Sequence, residues 1–189
     1  MNSVFLETFS KRLLLWICVL SLYSCSTMKD TTVYNNLPTD SLGIIPYWQK
    51  YYYDLNYDGK KDFEFRSQTI ASQSEPPSVS SNLYIVSLDS NEVQCISSGE
   101  PFPFQNNTLI SNVGNWSKTS SALVKQEDGG PWFGLWANIG ERNLGLRLKI
   151  RDSYYYGWIK LYCYKNGYKI ISSAFNNNAN APLYAGVNP

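Results

Sequence analysis

The 189-residue sequence contains no histidine. This absence excludes the common histidine-ligated zinc sites, the Ser-His and Cys-His nucleophile pairs, and the usual general base near neutral pH. Catalysis would therefore depend on carboxylates, lysine or tyrosine. A glycoside hydrolase needs only two carboxylates that face each other across a cleft, although each acidic residue also fits a solvated side chain on a loop or strand. The candidates for such a pair are Glu92, Glu100, Glu127, Asp128 and Glu141.

The sequence also has little net charge. Its 16 cations and 15 anions fall to 14 of each when residues 1–24, which contain Lys11, Arg12 and Glu7, are set aside as a cleavable segment. No basic cluster is present to attract phosphate groups or anionic lipid head groups. We therefore expect no nucleic-acid partner.

The hydrophobic run near the N-terminus covers only residues 13–22 and is too short to span a bilayer. Lys11 and Arg12 precede it. A basic segment followed by a short apolar segment is typical of a secretory signal. The sequence therefore predicts a signal peptide over residues 1–24, with an uncleaved short anchor as an alternative.

The motif Leu22-Tyr23-Ser24-Cys25 follows this segment and resembles the lipobox of bacterial lipoproteins, in which signal peptidase cleaves before a lipid-modified cysteine. Tyr23 stands where a small residue is usual. The resemblance implies that Cys25 is the mature N-terminus and carries the lipid anchor, and several acyl chains are enough for stable attachment. An ordinary signal peptide with a cysteine near its cleavage site is the alternative. Residues 25–41 are polar and without pattern, which predicts a flexible tether.

Residues 54–62 have the spacing of a calcium-binding loop. Side-chain oxygens occur at relative positions 1, 3, 5 and 9, and Gly59 at position 6 permits the sharp turn. A hard cation such as Ca²⁺ takes about six to eight oxygens, and alternate residues of a tight loop can supply them. The sequence therefore predicts a structural Ca²⁺ site, although an acidic turn that binds no ion fits the same residues. The predicted ligands are Asp54, Asn56, Asp58, Asp62 and the backbone carbonyl of Lys60.

The loop departs from an EF-hand at its end. Phe65 occupies position 12, where an EF-hand has a bidentate glutamate, and no helical pattern flanks the loop. We therefore do not expect a helix-loop-helix switch. Residues 63–70 begin with alternating apolar and polar side chains, which predicts a half-buried strand directly after the loop.

The rest of the chain predicts an all-β fold. Strand-like segments are separated by Ser, Asn, Gly and Pro, and no long helical period occurs after residue 44. We expect a single antiparallel β-sandwich, jelly-roll-like, over residues 42–189. Residues 83–88 and 92–96 are expected to form a hairpin, and residues 97–130 long loops around one or two short strands.

A meander of four sequential strands is predicted in the second half. The alternation of Leu144, Leu146, Leu148 and Ile150 with polar residues or glycine predicts one core face and one solvated face. A bulge near Gly157 would explain the changed phase after Trp158. The four predicted strands cover residues 132–139, 144–150, 154–164 and 168–175.

Cys95 and Cys163 each lie in a strand-like run. In an oxidising envelope they could form a disulfide, and they could equally be free buried thiols. The sequence leaves both states open.

Aromatic residues are numerous, with fifteen tyrosines and six tryptophans. Exposed rings could form a sugar-stacking platform, for which Trp116, Trp132, Trp136 and residues 154–156 are the candidates. Strands also prefer aromatic residues for packing, and alternate ones must face the core. No polar constellation accompanies the rings in the sequence, so glycan binding is the weaker alternative.

Several segments resemble, in order, the motifs of an uncharacterised family of secreted proteins and lipoproteins that is frequent in Bacteroidetes. The family has a DxNxDGxxDF-like calcium-type loop, a YGWI strand and an AY…I.AG ending. Phe175 stands where tyrosine is usual, and Tyr184 separates the apolar residue from Ala185-Gly186. The resemblance covers about residues 44–187 and implies an extracellular β-rich domain with a bound cation, but no established activity. The matching segments are residues 54–65, 155–161, 174–175 and 182–186.

Together these features predict a cell-envelope lipoprotein that is attached to the outer membrane through its lipid anchor. Its calcium-stabilised domain would serve in adhesion or ligand binding at the cell surface, with a glycan or a surface protein as partner, and would not catalyse a reaction. The alternative is a glycan-binding or carboxylate-dependent glycan-hydrolysing accessory lipoprotein. A structural envelope component that binds no soluble ligand is a third possibility.

Overall fold

The computed structural model describes residues 33–36, 47–72, 76–119, 121–164 and 167–189. These residues form β-strands and contain no helix, so the predicted all-β class is confirmed. None of the described segments is a helix that could cross a membrane. In chain order the strands are β1 (Val33–Asn36), β2 (Tyr47–Tyr53), β3 (Phe63–Ser72), β4 (Ser78–Ser87), β5 (Glu92–Cys95), β6 (Pro103–Phe104), β7 (Leu109–Ile110), β8 (Asn115–Ser117), β9 (Ser121–Glu127), β10 (Glu141–Ile150), β11 (Ser153–Tyr164), β12 (Gly167–Phe175) and β13 (Leu183–Tyr184).

The strands form two large antiparallel sheets. In the first sheet, β2, β3, β4 and β9 lie side by side in that order. The second sheet has seven strands, with β1, β12, β11, β10, β5 and β8 in sequence and β6 paired with β10. The short strands β7 and β13 pair with each other separately.

One hydrophobic core contains residues from both large sheets. Phe65 of β3 stacks on Tyr168 of β12, with ring centroids 5.0 Å apart. Leu144, Leu146 and Leu148 of β10 are buried in the same core, because alternate residues of a strand face the same side. The predicted core face of β10 is therefore confirmed for these three residues, whereas Ile150 is 38% exposed. The opposite face, which was predicted to be solvated, is instead covered at Gly145 and largely covered at Arg147, because a smaller core lies against it. The two sheets pack together, while the sandwich and jelly-roll geometry stays a prediction.

A second, smaller core lies on the opposite face of the seven-stranded sheet. Trp158 and Ile159 are adjacent in β11, and both are fully buried. Ile159 belongs to the main core, whereas Trp158 packs with Tyr156, Ile110 and other residues of the smaller cluster. Both faces of β11 are therefore covered here, and this explains the changed phase after Trp158. The register shift of β11 against β12 lies between Lys160 and Leu161, not at the predicted bulge near Gly157.

Two predicted segments differ from the structure. Residues 132–139 form a bridge and turns in place of the predicted strand, because Gly134 and Asn138 have positive φ angles that an extended strand does not allow. The meander consequently has three strands, β10 to β12. In contrast, β9 is a full strand inside the region predicted as loops, where its Val124 faces the main core.

The predicted hairpin between residues 83–88 and 92–96 is also wrong. β4 pairs with β3 and β9, whereas β5 pairs with β10 and β8. The short connection at residues 88–91 therefore leads from one sheet to the other. Asp89 has a φ of 52°, and its left-handed conformation turns the chain between the two layers.

Two N-terminal predictions concern residues outside the described ranges. The signal peptide at residues 1–24 and the lipid-anchor residue Cys25 lie outside them. Within the predicted tether, β1 pairs antiparallel with β12, from Val33 opposite Ile170 to Asn36 opposite Gly167. The strands of the domain therefore begin before residue 42.

Cys95 and Cys163 are free thiols in the structure, which is one of the two predicted states, and both residues are buried. Burial raises the pKa of the Cys163 thiol from 9.0 to about 12, because its thiolate would have no solvation. Both cysteines pack in the main core. They therefore act as small apolar side chains.

Candidate metal centre

The predicted calcium loop connects β2 to β3. β2 ends at Tyr53 and β3 begins at Phe63, so residues 54–62 form the whole connection. The Asp62 N–H donates to the Tyr53 carbonyl oxygen at 2.8 Å and closes the base of the loop. Gly59 has a φ of 88°, a left-handed conformation that suits glycine and tightens the turn. The strand predicted after the loop therefore begins where expected.

Three side chains of the loop turn oxygen atoms towards its own backbone. Asp54 accepts hydrogen bonds from the N–H groups of Gly59 at 2.8 Å and Asp58 at 3.2 Å. Asn56 Oδ1 also accepts from the Asp58 N–H at 3.2 Å, and Asp58 Oδ1 accepts from the Lys60 N–H at 2.8 Å. Such local bonds are typical of Asp and Asn in turns. They bring the side-chain oxygens of positions 1, 3 and 5 into one compact loop.

Asp62 lies at the base of the loop and is only 7% exposed. Its Oδ2 accepts the Leu55 N–H at 2.8 Å, and its Oδ1 lies 3.3 Å from Nδ2 of Asn91. Burial raises the pKa of Asp62 from 3.8 to about 6. The hydrogen bond from the Leu55 N–H lowers this pKa, whereas the negative charges of Asp54 and Asp58 raise it further. The negative charges of Asp54 and Asp58 thus lie close enough to Asp62 to disfavour its ionised form. A cation in the loop would offset this effect.

The residue types of the loop fit a hard cation such as Ca²⁺. Its side chains and the Lys60 carbonyl provide only oxygen ligands, as Ca²⁺ prefers. A carboxylate has about four lone-pair sites, so Asp54 keeps capacity after accepting two N–H groups. In the described part of the chain, Asp54, Asp58 and Asp62 form no ion pair with lysine or arginine. No three His, Cys, Asp or Glu side chains among the described residues are gathered as a metal-binding group. The loop therefore has the oxygen ligands and the negative charge that suit Ca²⁺. Its side-chain oxygens accept hydrogen bonds from backbone amides of the same loop.

Leu55 anchors the loop to the seven-stranded sheet. Its side chain is fully buried in the main core. A Cβ atom placed on Gly157 of β11 would lie 2.9 Å from Leu55 Cδ2 and 2.8 Å from the Ala174 carbonyl oxygen. Gly157 is therefore needed because the loop and β12 approach this point closely. The calcium-type loop and the YGWI strand, which are far apart in the sequence, meet in the structure.

Asn91 is a second anchor, and sequence reasoning missed it. Its Nδ2 lies 3.3 Å from both the backbone oxygen and Oδ1 of Asp62, and its Oδ1 accepts the Lys149 N–H at 3.1 Å. One buried amide thus ties the loop base to β10 across the two sheets. The only sequence signal was an Asn before a strand, which is common in turns.

The three tryptophans predicted for ligand stacking lie in different environments. Trp136 is buried in the main core, and its Nε1 donates to the Pro101 carbonyl oxygen at 2.9 Å. Trp132 is half-buried against the same core and lines a cleft of about 310 Å³ that also includes Cys163. Trp116 packs against the smaller core on the other face of the sheet. The three rings therefore do not form one stacking platform.

Trp116 instead covers a buried ion pair. Glu92 of β5 pairs with Arg147 of β10, and both side chains are largely buried. The Arg147 guanidinium carbon lies 4.5 Å from the Trp116 ring centroid and 3.9 Å from that of Tyr154. Cation–π contacts of this kind stabilise a desolvated guanidinium. Glu92, one of the candidate catalytic carboxylates, thus has a structural partner.

The remaining candidate carboxylates are dispersed over the fold. Asp128 Oδ1 accepts the Val79 N–H at 2.7 Å, which holds a loop against β4. Glu100 accepts a hydrogen bond from Ser98 Oγ at 3.2 Å. Glu127 ends β9, whereas Glu141 begins β10 beside a polar cleft. Glu127 and Asp128 are consecutive in the chain, whereas Glu100 and Glu141 lie in other segments.

Comparison of the chain with protein-family models, curated proteins and solved structures finds no match. The resemblance to the Bacteroidetes family therefore stays a prediction.

Proposed function

We propose that this protein is a calcium-stabilised binding or adhesion module of the cell envelope, held at the outer membrane by a lipid anchor on Cys25. The observation that carries the proposal is the loop at residues 54–62. It gathers the side-chain oxygens of Asp54, Asn56 and Asp58, while buried Asp62 closes its base. A bound Ca²⁺ would supply positive charge there and make the loop rigid.

The anchoring of the loop supports a structural role for the ion. Leu55 and Asn91 fasten the loop to the core and to β10. Stabilising the loop would therefore stabilise the contact between the two sheets. An ion that binds the folded state alone stabilises it by about 2.7 kcal/mol at a concentration 100-fold above its Kd.

Calorimetric unfolding of the full-length protein tests the calcium site. Moving from EDTA to saturating Ca²⁺ should raise Tm by roughly 5–11 °C, given that about 2.7 kcal/mol is gained and each kcal/mol shifts a domain of this size by 2–4 °C. Asp58→Asn, which removes one ligand charge, should abolish most of the shift. Asp152→Asn, on an exposed turn, is the matched control and should keep it. The site would be refuted by equal Tm values in EDTA and Ca²⁺, or by a full shift in Asp58→Asn.

The anchor requires a separate test. When cells are supplied with a labelled fatty acid, the wild-type protein should incorporate it and sediment with the outer membrane. Cys25→Ser should lose both properties, whereas Cys18→Ser should keep them. Unchanged labelling of Cys25→Ser would contradict the lipoprotein proposal.

A further inference from the structure

A polar cleft of about 350 Å³ lies away from the calcium-type loop, where β10 begins. Three segments meet there through strand pairing. Asn143 of β10 is opposite Lys160 of β11 on one side and Phe104 of β6 on the other. The turn after β6 completes the wall. The lining residues are Gln105, Asn106, Glu141, Arg142 and Lys160.

Buried contacts position Asn106 in the wall of the cleft. Asn143 is only 1% exposed, and its Nδ2 donates to Asn106 Oδ1 at 3.0 Å. A Cβ atom on Gly186 would lie 2.3 Å from the same Oδ1, so the C-terminal segment also fixes this amide. Asn143 Oδ1 is buried and has no partner among the described residues. The position of Asn106 is therefore set before any ligand arrives, and preorganisation of this kind favours binding.

Among the described residues, no ion pair neutralises the charged side chains of the cleft. Arg142 donates through Nη1 to a backbone oxygen at 2.7 Å. In the described part of the chain, Arg142, Lys160 and Glu141 form no ion pair with one another or with other residues. The residues that line the cleft thus include two cations, one carboxylate and two amides. The cations suit an anionic group, and the carboxylate and amides suit hydroxyl groups.

We propose that this cleft binds an acidic sugar, with Arg142 and Lys160 holding its carboxylate and Glu141 and Asn106 holding its hydroxyl groups. The lining includes no aromatic ring and no large aliphatic side chain, which disfavours an apolar ligand. The inference rests on the proposed binding function of the module and names a ligand class for it. It depends on neither the calcium ion nor the lipid anchor.

Titration calorimetry of the full-length protein tests the cleft with two matched probes, a trimer of β-1,4-linked glucuronic acid and the corresponding trimer of glucose. The acidic trimer should bind and the neutral trimer should not. Arg142→Gln and Lys160→Gln should each weaken binding about tenfold or more, as expected for loss of a charge-assisted hydrogen bond. Lys118→Gln is the matched control, because Lys118 contacts Glu92 far along the sheet and should leave affinity unchanged.

Equal affinity of wild type, Arg142→Gln and Lys160→Gln would overturn the proposal. It would also be overturned if inorganic sulfate displaced the acidic trimer when both are present at equal concentration, since the cleft would then recognise charge alone. If no acidic trimer binds but Ca²⁺ still raises Tm, the cleft inference fails and the calcium-stabilised module stands. If the Ca²⁺ shift is absent while the trimer binds, the calcium site fails and the cleft stands.

Discussion

Replacing Gly157 by alanine should destabilise the protein through the contact between the calcium-type loop and β11. The added Cβ would lie 2.8 Å from the Ala174 carbonyl oxygen and 2.9 Å from Leu55 Cδ2, closer than real Cβ atoms approach such groups. Neither group yields easily, because one is backbone and the other belongs to a fully buried side chain. Over-packing of this kind costs about 1–3 kcal/mol. The corresponding fall in Tm is roughly 2–12 °C for a domain of this size.

The assay is calorimetric unfolding of a double-mutant cycle. Leu55→Ala removes one of the two close contacts, so Gly157→Ala should cost less free energy of unfolding in that background than in the wild type. Ile70→Ala is the control, because Ile70 is exposed and lies near the end of β3 remote from the loop, and its cost should add to that of Gly157→Ala within about 0.5 kcal/mol. A Gly157→Ala protein with the Tm of the wild type would refute the reasoning. So would additivity with Leu55→Ala, because the loop would then not press on β11.

Two further predictions concern buried groups. Glu92→Gln and Arg147→Met alone should each cost about 3–5 kcal/mol of unfolding free energy, because each removes the buried ion-pair partner of a largely buried charge and leaves Glu92 only the exposed Lys118. The double variant should cost clearly less than their sum, and additive costs in urea unfolding would contradict this. Cys163 should react with an alkylating reagent at pH 8 only after unfolding, since burial raises its pKa to about 12. Site-resolved mass spectrometry measures the extent of alkylation. Rapid labelling of Cys163 in the native protein would contradict the prediction. Because this pKa is raised, the contribution of the neutral thiol to stability is complete below pH 9.0 and is lost as the pH rises towards about 12.

Local patterns predicted those parts of the fold that depend on neighbouring residues. The alternation in β10 identified its core face, since a strand with one clearly apolar side shows period two. The spacing of residues 54–62 located a compact loop directly before β3. Both signals lie within about ten consecutive residues.

Other features depend on distant parts of the chain and left no such pattern. β11 is covered on both faces, so Trp158 and Ile159 are both fully buried and the alternation disappears. Trp136 reaches the core from a turn, where composition alone suggested a strand. Asn91 contacts Asp62 because the chain changes sheets there, and residues 83–96 resembled a hairpin equally well.

The pairing of β1 with β12 has a kinetic consequence. The first described strand hydrogen-bonds to a strand near the C-terminus, from Val33 opposite Ile170. During synthesis β1 therefore has no partner until almost the whole chain has emerged, and contacts of such large sequence separation form slowly. Completion of the seven-stranded sheet should be a late event, and an exposed edge in the unfinished chain is prone to aggregate. A protein secreted across a membrane in an unfolded state would complete this sheet only after its C-terminal strands have crossed.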